Sequence, residues 1–368
     1  MAEQVIRTDI FDYEAAFLAY KDSNNDHEKL SLFNHTFLKL LEDQGLFCRE
    51  DQTTLVGDIG CGDGGATVHY LKNIQFKGGL DVRVTDKQPE FAGSDTSSDQ
   101  NKNSKACLAE EILSNAKQSQ IIPLKNYQVR YGDILADDVA QLLYTNEEMK
   151  ASMNRFDLVY LSHILYYARY NHQNGRYGVT HVVDSVATDL LSENGVAILF
   201  HSGLRFSKYA YFRIAYFTRG VIQNVDPTDE EIKRLSTDCA IRDACNELGL
   251  TCFEIPYKFD LCFSKDIRKY SDIYKDPSRY HELRGNPSAI KDLRVIIFMS
   301  HRSPEDLYAD KSPRGLNNLV DRIVDAVENN GCVDLFSFMQ IILSRKASAE
   351  FKQKIERAVK ECQNQLCS

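Results

Sequence analysis

The stretch from Thr53 to Ile74, TTLVGDIGCGDGGATVHYLKNI, restricts the fold more than any other part of the chain. An extended run ends in a cluster of small residues, Asp58-Ile59-Gly60-Cys61-Gly62-Asp63-Gly64-Gly65, and a helical pattern follows through about Ile74. Strand, tight turn and helix in that order begin a parallel sheet with right-handed helical crossovers. Glycines at such a turn let the backbone take positive φ and let a ligand approach it closely. A tight turn that binds nothing is the plainer reading.

Further strands are legible downstream. LDVRVTD (80–86), YQVRYGDI (127–134), FDLVYLSH (156–163) and GVAILFHS (195–202) read as strands, the last two apolar enough to be buried on both faces. GSDTSSDQNKNS (93–104) reads as a polar loop, and 105–117 and 229–248 read as helices. LTCFEIPYKFDLCFS (250–264) and DLRVIIFMS (292–300) are expected to close the sheet as strands, one of them antiparallel. Residues 11–45 carry apolar side chains at helical steps, Tyr13, Phe17 and Tyr20, then Leu30, Phe33 and Phe37, with a polar break at 22–26. The tail, about 314–362, is expected to be helical from Leu316, Leu319, Ile323 and Val327 and again from Phe336 to Leu343.

The expected fold class is therefore α/β: a Rossmann-like sheet, mostly parallel with one antiparallel strand, flanked by helices. An N-terminal helical cap (1–50) precedes a central domain (51–305) carrying an insertion at about 204–230, and a C-terminal helical extension (306–368) follows.

Of the 368 residues, 43% are hydrophobic and 26% charged, the balance of a folded chain rather than a disordered one. A net charge of -9 without a dense Lys/Arg run speaks against nucleic acid as a partner. No apolar stretch approaches the roughly 18 residues of a membrane span, and MAEQVIRTDIFDYE lacks the apolar core of a leader, so a cytoplasmic protein without a membrane partner is expected. Ten cysteines without a CxxC pair are expected to be free thiols, and no metal site is expected.

The glycine turn admits two cofactor classes. Gly60, Gly62 and Gly65 satisfy GxGxxG, and Asp86 lies 21 residues beyond Gly65, so spacing alone leaves a dinucleotide open. Charge favours another ligand. Asp58 stands two residues before the first glycine and Asp63 inside the turn, where both repel a pyrophosphate; a sulfonium amino acid carries an ammonium and no phosphate.

At these residues the chain resembles class I S-adenosylmethionine-dependent methyltransferases, whose first motif, (D/E)xGxGxG, stands here as Asp58 to Gly64. The resemblance implies a methyltransferase sheet with S-adenosyl-L-methionine against Asp58, Gly60, Cys61, Gly62 and Gly64. It also implies that Asp86 in VTDK holds the ribose, that Asp133 with Ile134 in YGDI meets the adenine, and that Ser162 touches the cofactor. Plainer readings are a strand-end turn for Asp86 and a helix N-cap for Asp133.

Within that class, FDLVYLSHILYYA (156–168) and DYEAAFLAYKDSNNDHEKL (12–30) resemble the histamine N-methyltransferase group. That resemblance implies a substrate-binding acid at Asp26, where the group has Glu, and a substrate contact at His163, where it has Gln. Asp26 is alternatively a helix N-cap. Tyr166 and Tyr167 are candidates to face an acceptor amine, His163 and Tyr167 are the catalytic candidates, and His201 is a further substrate-side candidate. RFSKYAYFRIAYF (205–217) lies where such enzymes carry a lid. The expected activity is in-line methyl transfer to a small molecule, through an amine nitrogen. A protein or peptide acceptor, a non-catalytic cofactor-binding protein and an NAD(P)-dependent oxidoreductase are the alternatives.

Overall fold

The computed structural model describes residues 13–47, 50–86, 105–132, 139–144, 155–165, 178–203, 237–300, 304–311, 315–327 and 331–366. Its helices are α1 (Tyr13–Lys21), α2 (Asp26–Asp43), α3 (Gly65–Leu71), α4 (Lys105–Gln118), α5 (Val139–Leu143) and α6 (Gly178–Ser185), the last running into a π turn at Val186–Leu190. They continue with α7 (Thr237–Leu248), α8 (Ser271–Tyr274), α9 (Pro287–Ser300), α10 (Pro304–Ala309), α11 (Leu316–Ala326) and α12 (Ala349–Leu366). The strands are β1 (Thr54–Ile59), β2 (Leu80–Asp86), β3 (Leu124–Tyr131), β4 (Phe156–Ser162), β5 (Leu191–Gly203), β6 (Cys252–Cys262) and β7 (Cys332–Leu343).

The strands form one sheet of seven in the order β3-β2-β1-β4-β5-β7-β6. β1 pairs in parallel with β2 and β4, β2 with β3, and β4 with β5. β7 runs the other way: Leu343, at its end, donates its N–H to the carbonyl of Thr251 just before β6, and Ser344 donates to Gly195 near the start of β5. This is a mostly parallel Rossmann-like sheet with one antiparallel strand, and the expectation of an α/β fold class is met.

The residues divide into two compact units. One comprises Leu30–Ser202, Thr237–Tyr257 and Phe338–Ser368 and carries two apolar layers on opposite faces of the sheet. The strict period of two along each strand sorts side chains between them. Val56, Leu158, Tyr160, Ile198 and Phe200 face Phe37, Leu71, Leu113 and Ile355 of α2, α3, α4 and α12. Leu55, Ile59, Val159, Leu161 and Leu199 face Leu142, Val182 and Ile241 of α5, α6 and α7.

The other unit comprises Met1–Lys29, Gly203–Ser236 and Lys258–Ser337. Its core gathers Ala19, Phe259, Tyr274, Leu293, Ile296, Val320 and Ile323. Ser23 to Asn25 lie along the end of β6: the Cys262 N–H donates to the Ser23 carbonyl at 2.7 Å, and Asn24 forms an antiparallel bridge with Leu261.

Three readings of the sequence are corrected. DLRVIIFMS (292–300) is not a closing strand but the second half of α9, because Leu293, Val295, Ile296 and Met299 are all buried in a helical core. The closing antiparallel strand is β7, so Phe336 to Leu343 is not helical, although α11 and α12 on either side are. Cys262 and Cys332 are not free thiols: they form a disulfide between the end of β6 and the start of β7, 70 residues apart in sequence. Cys61, Cys239, Cys245, Cys252 and Cys362 take part in no disulfide among the described residues. Among the described residues no helix is long and apolar enough to cross a membrane, and no cluster of metal-ligating side chains occurs.

Candidate functional site

β1 is buried along its whole length, and its last residues deliver the glycine turn to the carboxyl edge of the sheet, the edge at which open α/β sheets bind ligands. Gly60, Gly62 and Gly64 have φ of 77°, 60° and 76°. A Cβ on Gly60 would collide with the Ile164 side chain, whereas one on Gly62 would meet nothing within 4 Å. The first glycine is therefore demanded by packing, and the second leaves open space above the backbone.

The N–H groups of the turn are already engaged. Gly60 and Cys61 donate to the Thr85 carbonyl at 2.7 and 3.1 Å, and Gly64 donates to Cys61 at 3.0 Å. Two of the remaining donors meet carboxylates: Gly62 donates to Asp86 Oδ2 at 2.5 Å, and Gly65 donates to Asp63 Oδ1 at 2.9 Å. A turn that cradles phosphate offers such donors to the ligand. Here acids take them.

Asp58 is 1% exposed, and its Oδ2 accepts the Thr67 hydroxyl hydrogen at 2.6 Å. Its Oδ1 is buried without a hydrogen-bond partner among the described residues. Burial raises its pKa to about 7, the Thr67 bond opposes the rise, and the nearby Asp86 charge adds to it. Cys61 is also buried, and desolvation together with Asp58 and Asp86 pushes its thiol far up, so it is a small apolar wall rather than a nucleophile.

At the end of β4, Ser162 shares a hydrogen bond with the Tyr70 hydroxyl at 3.2 Å. Tyr70 belongs to an aromatic group with Tyr160 and Phe200, and Asn34 ties it down: Asn34 Nδ2 donates to the Tyr70 carbonyl at 3.0 Å, and the Tyr160 hydroxyl donates to Asn34 Oδ1 at 3.3 Å. His163 follows with φ of 54°, a left-handed conformation uncommon for a non-glycine residue, and its N–H donates to the Phe200 carbonyl at 2.7 Å. Unusual backbone of this kind is a recurrent feature of functional sites.

The structure thus brings Asp58, Gly60, Cys61, Gly62, Gly64, Asp86, Ser162 and His163 to one edge of the sheet. His201, on β5, is 2% exposed and bonded to Gln340 at 2.7 Å. Asp26 belongs to the other unit, where it opens α2; it is 6% exposed and accepts a hydrogen bond from Ser337 Oγ at 3.4 Å. Asp133, Ile134, Tyr166, Tyr167 and the expected lid at 204–230 lie outside the described residues.

Four residues of this edge escaped the sequence reading: Thr67, Tyr70, Asn34 and Gln340. Thr67 carries a legible signal, a hydroxyl in the first turn of the helix that follows the glycines. Asn34 and Gln340 carry none, since sheet pairing and α2 packing bring them in from far along the chain.

No family model matches the chain, and no curated protein matches it. Among solved structures it is similar to a Galdieria sulphuraria protein described as a sarcosine dimethylglycine methyltransferase, at 11% identity and TM-score 0.40, over 85% of this chain and 86% of that one. It is also similar to the YcgJ protein of Bacillus subtilis, at 13% identity and TM-score 0.41, over 84% and 99%. Haemonchus contortus phosphoethanolamine N-methyltransferase 2, solved with S-adenosyl-L-methionine, is similar at 11% identity and TM-score 0.35, over 86% of this chain and 57% of that one.

Proposed function

We propose that the chain is an S-adenosylmethionine-dependent methyltransferase that methylates a small molecule through an amine nitrogen. The observation that carries this reading is the engagement of Gly62 and Gly65 N–H by Asp86 and Asp63, beside a buried Asp58 oxygen that has no hydrogen-bond partner among the described residues. Such a turn disfavours a pyrophosphate and suits a ligand with an ammonium and hydroxyls. The alternative of a nicotinamide dinucleotide is weakened by the same bonds.

In this reading Asp58 accepts a hydrogen from the ammonium at the amino-acid end of S-adenosyl-L-methionine, whose positive charge favours the ionised carboxylate, and the open space over Gly62 admits the ligand to the backbone. Asp86 takes the ribose hydroxyls, Asp133 and Ile134 meet the adenine, and Ser162, steadied by Tyr70, borders the reacting end. Bound there, the cofactor supplies a methyl carbon already activated by its sulfonium. The chain's own work is alignment and exclusion of water.

His163 orients the acceptor and receives its proton, in the neutral imidazole form. Tyr166 and Tyr167 face the amine with their rings.

The test is methyl transfer from labelled S-adenosylmethionine to a panel of small amines, carboxylates and protein lysate. Label in small amines is the expected result. Label confined to protein would replace the substrate class, and label nowhere, with the cofactor bound, would leave a binding protein without turnover.

A further inference from the structure

Asn34, in the middle of α2, is 0% exposed, and both polar atoms of its side chain are engaged by residues far along the chain. Its Nδ2 donates to the Tyr70 carbonyl at 3.0 Å, and the Tyr160 hydroxyl donates to its Oδ1 at 3.3 Å. Tyr70 is the last residue but one of α3, and Tyr160 stands on β4 just ahead of Leu161 and Ser162. Asn34, Tyr70, Tyr160 and Ser162 all belong to one unit.

The amide sits in one sense only. A backbone carbonyl accepts and never donates, so the nitrogen of Asn34 must face Tyr70 and the oxygen must face Tyr160. Burial pushes the Tyr160 phenol far up, against the opposing pull of the Asn34 bond, so the phenol keeps the hydrogen it gives to Oδ1. The Tyr70 carbonyl lies in the last turn of α3, where helix carbonyls lack a partner within the helix, and Asn34 supplies one. Removing either bond leaves a buried polar atom unmet, which costs more than the bond contributes.

These bonds bear on the glycine turn. α3 starts in that turn, and the Thr67 hydroxyl ties its first turn to Asp58 of β1 at 2.6 Å. Asn34 ties its last turn to α2 and β4. Held so, the Tyr70 ring packs on Tyr160 and Phe200 with centroids 5.1 and 5.3 Å away, and its hydroxyl reaches Ser162 Oγ at 3.2 Å. Ser162 is half-buried, whereas Asn34, Tyr70 and Tyr160 are buried. A hydroxyl gives one hydrogen bond and accepts others, so whichever of the two donates, Ser162 Oγ keeps a hydrogen-bonding place for a ligand.

Resting on the methyl-transfer reading above, we infer that Asn34 is a positioning residue for the methyl donor. It touches no ligand itself. By holding Tyr70 at its carbonyl and Tyr160 at its hydroxyl, it fixes the phenol that in turn fixes Ser162 Oγ against the bound donor. The order of action is Asn34, Tyr70, Ser162, and removing Ser162 Oγ cancels the effect of the other two on affinity.

Titration calorimetry of the full-length protein with S-adenosylhomocysteine, as double-mutant cycles on Ser162→Ala, tests this order. Ser162→Ala, Tyr70→Phe and Asn34→Leu are each expected to weaken binding about tenfold, the effect of one hydrogen bond. Beside Ser162→Ala, neither Tyr70→Phe nor Asn34→Leu is expected to weaken it further. Tyr160→Phe keeps the ring and removes only the hydrogen given to Asn34. It is expected to weaken binding about threefold alone and not at all beside Ser162→Ala, and it decides the question if Asn34→Leu does not melt as a folded chain. A purely structural role lowers the melting temperature and leaves the losses of affinity additive or absent, and either result overturns this inference alone. A wild type that does not bind S-adenosylhomocysteine overturns it together with the reading it rests on.

Discussion

Thr67 donates its hydroxyl hydrogen to Asp58 Oδ2 at 2.6 Å, across nine residues of chain, and so ties the first turn of α3 to the last residues of β1. The bond compensates an acid that is almost wholly removed from water. It is partial, since burial still holds the Asp58 pKa at about 7.

That pKa makes stability depend on pH in a definite direction. In the folded chain Asp58 keeps its proton up to about 7, while in the unfolded chain it loses it near the ordinary aspartate value of 3.8. Between those values the folded state binds more protons, so the contribution of Asp58 is fully present below the lower value and is lost as pH rises through about 7. Urea unfolding of the ligand-free protein and of Asp58→Asn across this window should show the wild type losing stability with pH and the variant losing less. Parallel curves for the two would contradict the assignment of the raised pKa.

The turn glycines should separate folding from binding. Gly60→Ala places a Cβ against Ile164 and forces an alanine to φ of 77°, so it should lower stability and abolish binding together. Gly62→Ala meets no atom within 4 Å and bears only the left-handed backbone cost, about 1–2 kcal/mol. It should fold and still lose affinity for S-adenosylhomocysteine, because its methyl fills the open space. Thermal melts beside binding isotherms distinguish the two, and a Gly62→Ala protein that binds as the wild type does would remove the ligand from that space.

Cys262–Cys332 closes a segment 70 residues long that contains α8 to α11. Chain-entropy arguments give such a crosslink about 4 kcal/mol. Cys332→Ala, or reduction under native conditions, should therefore lower the melting temperature measurably. Peptide mapping without reductant should recover the two cysteines in one crosslinked fragment, and recovery of both as thiols would contradict the pairing.

What the sequence disclosed follows from where its signals are local. The strand-turn-helix at 54–71, the acids at Asp58 and Asp86, and the buried strands ending at Ser162 and Gly203 were all readable, because a period of two and a glycine cluster need no tertiary information. DLRVIIFMS misled because a short apolar run looks the same in a buried strand and a buried helix. The deciding signal stood upstream: Asn286 caps α9 by accepting the Ala289 N–H at 3.0 Å, and Pro287 occupies its first position. β7 was hidden for the converse reason, since its tail from Phe338 to Leu343 is buried on both faces and shows no alternation. The disulfide and the His201–Gln340 bond depend on β7 lying between β5 and β6, which no local pattern announces.

The central claim, that this turn receives a phosphate-free cationic donor, is tested most directly by calorimetric titration of the wild type with S-adenosylhomocysteine and, separately, with NADH, using Asp86→Ala as the control. Saturable binding of S-adenosylhomocysteine with one site per chain, lost in Asp86→Ala, and no heat from NADH is the result expected. Saturable NADH binding with none of S-adenosylhomocysteine would contradict the claim.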